Sequence, residues 1–399
     1  MTSIRLFLAL STLLVAGACT GGGFDPVTST TSNSRGALPG RIAIVDEQGD
    51  IITVDPDGSN VAAITNDGSS VRYFQPVWSP TAMTLAWGQD DPTDGSSLGL
   101  SEGDGTSRRE VDMEQFPFYF YWSPDGERLG VLHNGTNGGV DFEIVDVGAL
   151  ATSVVDSGSS YYFSWSPDGD AVVVHVDGDR LDIFDESANP SEVGTPSPEF
   201  LSPRWTEAGI FFRGERGVVL RRPDGQNVLL GRPSGFATIN PSPDGSKVAI
   251  HTLGGPPGVT VGLMSQEDPL PPNSVIIVEP SSGASEIAVD QYALVSFWSP
   301  DGNRLLMLVP TTSEGDFELV LWEDGESTTL TTIRLSVALV REALQYSDQY
   351  AQSWQIWSPG SDGFVVPATV NGQAGVWVFH LGSDPVNIGN GTWAAWSHS

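Results

Sequence analysis

Three histidines stand at matching places along this 399-residue chain. His133, His175 and His251 each fall six or seven residues after a turn glycine, where an apolar run ends, and Gln89 and Arg213 lie near the corresponding spot in their own segments. Imidazoles ligate metals and carry protons, so a cluster of them would make a metal or acid–base centre. Their spacing sets them in separate repeat units, well apart, and no shared metal site is expected. Polar strand ends meeting water are expected instead or, on a functional reading, a broken polar ring around one face. Gly95-Ser96-Ser97-Leu98-Gly99 fits the G-x-S-x-G pattern, which needs a strand before it and a helix after. Here a short Asp/Gly loop with no following helix is expected, so no nucleophile is assigned. Asp55, Asp57 and Asn60 suggest a calcium loop whose remaining ligand spacing is missing. Asn134-Gly135-Thr136 and Asn390-Gly391-Thr392 match glycosylation acceptors but read as turns. The expectation is therefore no catalytic residue, no cofactor and no metal.

The elements that would carry these residues are repeats. Trp-Ser-Pro-Asp-Gly stands complete at Trp122–Gly126, Trp165–Gly169 and Trp298–Gly302, and worn down at Trp78, Trp205, Pro241, Trp357 and Trp396. Successive copies lie 44, 43, 40, 36, 57, 59 and 39 residues apart. A period near forty with four short strands in each is the mark of a β-propeller. Proline presets φ for the first central turn position, Asp-Gly suits the remaining positions, and an apolar strand returns. The tryptophans are expected to pack between neighbouring blades. The fold class predicted is all-β: one propeller of eight four-stranded antiparallel blades, with seven as the alternative. Arg41–Val45, Ile51–Val54 and Val61–Thr65 read as strands B, C and D without an A, and Thr392–Trp396 as an A without the rest. The N-terminal triplet is expected to complete the last blade and close the ring.

Antiparallel order puts the Pro-Asp-Gly turns on one face and the irregular connections on the other. Two insertions fall on that second face. One is Thr252–Asn273, rich in Gly and Pro. The other is Thr332–Gln352, in which Leu335, Leu339, Val340 and Leu344 follow helical spacing. Neither is needed to complete four strands, so their removal is expected to cost little stability. Aromatics recur at the start of strand A: Tyr73, Phe118, Tyr161, Phe200, Phe236, Tyr292 and Trp354. They read either as packing beneath the loops or as a ring at the channel mouth that stacks on a sugar or peptide.

Residues 1–18 read as an export signal, with Arg5 followed by the apolar run Leu6–Ala16, too short to span a bilayer. Cys19, the single cysteine, follows Val15-Ala16-Gly17-Ala18. This resembles the lipobox of bacterial lipoproteins, which implies lipidation at Cys19 and a mature N-terminus there. Residues 19–39 then form a polar tether and residues 40–399 the propeller. Loss of Arg5 leaves 17 basic against 50 acidic residues, a net charge of −33. Such a surface repels phosphate backbones and anionic lipid, so nucleic acid is set aside as a partner and the membrane link is the lipid alone.

The repeated phrase resembles the TolB-type propeller repeat, also found in prolyl oligopeptidase and dipeptidyl peptidase relatives. That resemblance implies a propeller and carries no catalytic residue onto this chain. TolB itself has six blades and an extra N-terminal domain, which this chain does not follow. The function expected is an exported, lipid-anchored monomer at the bacterial envelope that binds a protein, peptide or glycan. The rival expectation is an extracytoplasmic hydrolase or lyase using His133, His175 and channel-lining carboxylates.

Overall fold

The repeated phrase builds the same hairpin wherever it occurs. The computed structural model of the chain describes residues 38–136, 138–185, 190–197, 199–254, 269–336, 339–340 and 343–399. In it the Ser123 hydroxyl donates to the Asp125 carboxylate, and the amide of Arg128 returns to the Ser123 oxygen at 3.0 Å. Ser166 with Asp168, Ser242 with Asp244, and Ser299 with Asp301 repeat it. The Ser166 hydroxyl holds the Asp168 carboxyl below its ordinary range. Gly126 closes the turn at φ 74°, in the left-handed region that suits glycine. A Cβ there would collide with Thr81 of the preceding turn. Adjacent turns therefore pack directly on one another.

The tryptophans do more than pack. Trp122 donates its indole N–H to the Val77 carbonyl at 3.1 Å, one residue before Trp78. Trp298 reaches Asn240 O and Trp357 reaches Phe297 O, each one residue before the preceding copy of the phrase, and Trp78 reaches Ala395 O, one residue before the last copy. Trp165 keeps the place but not the bond, its indole nitrogen being buried without a partner. A repeated, buried N–H to carbonyl bond fixes the register between sheets as well as filling space.

Among the described residues the regular elements are strands, apart from helical residues 339–340, a 3-10 turn at Leu344–Tyr346 and a short helix at Ser347–Ser353. Four consecutive strands form a sheet from Arg72–Trp78 to Arg109–Asp112, from Pro117–Trp122 to Ala151–Gly158, and from Tyr161–Trp165 to Ser191–Glu192. The sheet from Arg204–Thr206 to Asn227–Pro233 gains a fifth, parallel strand, Pro269–Leu270, which covers its outer edge. Phe236–Pro241 to Ser285–Val289 follows, and Val295–Trp298 to Val386–Gly389 runs on as seven strands. In that last sheet Glu326–Leu335 pairs with Gly363–Val370, while Trp357 bridges only to Phe364. The expected N-terminal triplet appears as Ile42–Val45, Ile51–Val54 and Ala62–Ala63. Its first strand pairs antiparallel with Trp393–Trp396, Ile42 opposite Trp396 and Val45 opposite Trp393.

Several sequence expectations need correction. Gly95–Glu102 is a strand and not a loop, and the Ser97 hydroxyl is bonded to Glu110. The Thr332–Gln352 segment is strand through Leu335 and helical at residues 339–340, and it continues beyond the expected stretch as a 3-10 turn at Leu344–Tyr346 and a helix at Ser347–Ser353. This insertion is also packed into the body: Leu339, Ala343, Leu344, Gln349 and Tyr350 are buried. Most of Thr252–Asn273, together with residues 1–37 and therefore Cys19, lies outside the described residues. Among the described residues no helix is long and apolar enough to cross a membrane.

Candidate functional site

At the end opposite the tight turns, the phrase-bearing strands begin with large aromatic residues, and the late insertion folds down among them. The helix Ser347–Ser353 has seven residues and no side-chain N-cap, so it could not stand alone. It is held by the surrounding strands. Gln349 Nε2 and Gln352 Nε2 both donate to the Phe163 carbonyl, at 3.1 and 2.9 Å. The Tyr119 hydroxyl donates to Gln349 O and the Ser202 amide to Asp348 Oδ2. Arg204 donates to the Asp348 carbonyl. Burial disfavours the charged form of each group. It pushes the Asp348 carboxyl up, the Arg204 guanidinium down and the Tyr119 phenol up to about 12.

Gln75 is built for the same contact. It sits at φ 49°, where the register slips between Phe74 and Val77. A left-handed non-glycine residue costs about 1–3 kcal/mol unless its surroundings fix it. Here the bulge aims a buried amide, as bulges often re-aim a side chain. Its nitrogen donates to Phe120 O at 2.8 Å and its oxygen accepts from the Tyr350 hydroxyl at 3.1 Å.

Between the helix and the strands lies a cavity of about 440 Å³. That is within the size range of ligand sites. Phe74 and Phe116 in its lining stack at 4.8 Å, with the Arg72 guanidinium 5.4 and 5.2 Å from their centroids. Tyr162 and Phe200 form a second pair, stacked at 4.5 Å, and Tyr346 and Tyr350 come from the insertion. Ten of the seventeen lining residues are aromatic. The polar atoms around them are largely engaged. Ser159 N, Ser159 Oγ and Ser160 N all donate to Asp177, and the Tyr161 hydroxyl donates to Asp156. The cavity therefore offers aromatic side chains more than open hydrogen-bonding groups.

The structure divides the candidates named from sequence. Phe118, Tyr161 and Phe200 line the cavity. Tyr73 is buried and bonded to Asp67, Trp354 is stacked on Trp393, Tyr292 is half-buried, and Phe236 is 41% exposed. The five polar strand ends are each engaged by separate partners. Gln89 bonds Glu110 and Trp87, and Arg213 meets Glu199 at 3.4 Å. His133 bonds Glu143 at 3.1 Å, which raises its pKa. His175 holds Leu201 O at 2.7 Å, burial keeping its pKa low. His251 lies between Ala293 O and Ser296, and burial lowers its pKa to about 4. Asp55 is taken by Arg41 and Asn60. Among the described residues no three His, Cys, Asp or Glu side chains converge as metal ligands would.

Sequence reasoning missed Phe74, Phe116, Tyr162, Tyr346, Tyr350 and Trp393. The doublet Tyr161-Tyr162 and the four-residue spacing of Tyr346 and Tyr350 were the available signals.

No protein-family model matches the chain, and no curated protein does either. Solved structures do. Oligogalacturonate lyase from Vibrio parahaemolyticus is 13% identical with a TM-score of 0.52, covering 87% of this chain and 99% of its own. A prolyl endopeptidase is 12% identical with a TM-score of 0.53, covering 82% of this chain and 50% of the endopeptidase. TolB from Acinetobacter baumannii is 15% identical with a TM-score of 0.39, covering 70% and 77%. The first two likenesses concern the fold, and with the sheet order above they show that the chain is a β-propeller.

Proposed function

We propose that this chain is an exported, lipid-anchored propeller that acts as a binding scaffold for a protein, peptide or glycan. The sheets are read as eight blades, the seven-stranded sheet supplying two and the pairing of Ile42–Val45 with Trp393–Trp396 closing the ring. Lipidation at Cys19 is carried by the lipobox resemblance. Residues 39–41 meet Trp396 and Ser397 on the tight-turn face.

The observation that carries the binding reading is the composite aromatic cavity, whose neighbouring polar atoms are spent on internal bonds. The rival is a hydrolase or lyase. It would need His133 and His175 to act together, and each is bonded to its own separate partner. The test is a pull-down from envelope extracts with the full chain and with Phe200→Ala/Tyr346→Ala. Capture lost in the double variant supports recognition at the cavity; undiminished capture places recognition elsewhere. Cys19→Ser should abolish incorporation of labelled fatty acid, and unchanged membrane retention would sink the anchor.

A further inference from the structure

We infer that the aromatic cavity is a site for an organic cation, a ligand that presents an ammonium head to the rings. The inference rests on the cavity being a binding site and adds the chemistry of what enters it.

Three observations converge. First, the walls are aromatic and no acidic side chain lines them, so an ammonium entering finds aromatic rings and not a salt-bridge partner. Aromatic faces attract a cation by about 0.5–1 kcal/mol when exposed and about 2 or more when desolvated. Second, two of the rings already hold a cation, the Arg72 guanidinium over Phe74 and Phe116. A second cation would be repelled by that charge and would settle against other lining rings, such as Tyr162 stacked on Phe200 and Tyr346. Third, a carboxylate stands behind the wall: Asp177 accepts from Ser159 and Ser160. The chain as a whole carries −32, which raises the local concentration of small cations and repels anions.

A neutral apolar ligand would use the same rings but would be indifferent to charge, and a sugar would need open hydrogen-bonding groups. The experiment separates these. Choline, its neutral isostere 3,3-dimethylbutan-1-ol and a maltose control are titrated into the full chain in detergent, followed by tryptophan fluorescence, with Trp393 in the wall, and by melting temperature. Choline should bind at least tenfold more tightly than the isostere, with the preference shrinking in concentrated salt. Phe200→Leu/Tyr346→Leu keeps apolar bulk but removes two rings, and should bring the two affinities within about threefold. Equal binding of the isostere, a preference that survives the double variant, or no choline binding overturns the inference. If choline fails while Phe200→Ala/Tyr346→Ala still loses envelope capture, the inference falls and the binding-face reading stands.

Discussion

The two ends of the strands are made by different rules. At the tight-turn end, Ser123, Ser166, Ser242 and Ser299 make the same hydroxyl-to-aspartate bond, and each turn packs against its neighbour. At the opposite end residue types recur but their bonding does not: one blade offers a bulge at Gln75, another His133 paired with Glu143, another an insertion that drops a helix among the strands. The first end is specified by local turn chemistry, so any copy predicts the rest. The second is specified by contacts between residues far apart in sequence, as Tyr350 with Gln75, 275 positions away. Stability is spread over both ends, and individuality is confined to one.

Breaking that comparison begins with the largest effect. A chain starting at Asn66 loses the strands that pair with Trp393–Trp396 and leaves buried backbone groups open. Aggregation or loss of the cooperative melt is expected; a melt like that of the full chain would refute the role of this pairing. Next, replacing residues 336–353 with a Gly/Ser linker removes buried Leu339, Leu344 and Tyr350. A loss of at least about 3–5 kcal/mol in urea unfolding is expected. A near-neutral result would return the insertion to the status of a loose loop.

A finer comparison sets two copies of the phrase against each other. Trp122→Phe leaves the buried Val77 carbonyl without its indole donor. That should cost about 1–3 kcal/mol. Trp165→Phe has no indole hydrogen bond to lose and should cost measurably less. Equal losses would mean that packing alone governs both. The pH dependence of the other end is testable through His133. Glu143 raises its folded pKa. The stabilisation is therefore complete below the unfolded value, about 6.5, and fades as pH rises through the folded one. Glu143→Gln should cost about 1.5–3 kcal/mol in mildly acidic buffer and less in alkaline buffer. The smallest effect is Tyr346→Ala, at a residue that is 55% exposed. A stability change within about 0.5 kcal/mol is expected by calorimetry.

The sequence makes the propeller legible because its signal is local. Pro124, Asp125 and Gly126 determine a turn by their own backbone preferences, and the same reasoning transfers to every copy. The edge pairing was also legible, since three strands without a first and a first without three are complementary. The cavity was legible only in part. Phe118, Tyr161 and Phe200 announced themselves by position, whereas Phe74 depends on a bulge and Tyr350 on where a helix lands. Helical spacing at Leu335–Leu344 pointed to the helical residues 339–340 but not to the strand end at Leu335 or to the further helix at Ser347–Ser353, which carries Tyr350.

The pairing of the first described strand with the last has a consequence in time. Arg41 and Ser397 are bonded across 356 positions of sequence. At synthesis rates of roughly 5–20 residues per second, about 20–70 s separate the making of these partners. Through that interval Ile42–Val45 has an open edge with no legitimate occupant, a template for any extended segment passing by. The nascent chain therefore faces its greatest hazard before its last residues exist, and slow delivery of the C-terminus should favour intermolecular pairing through that edge.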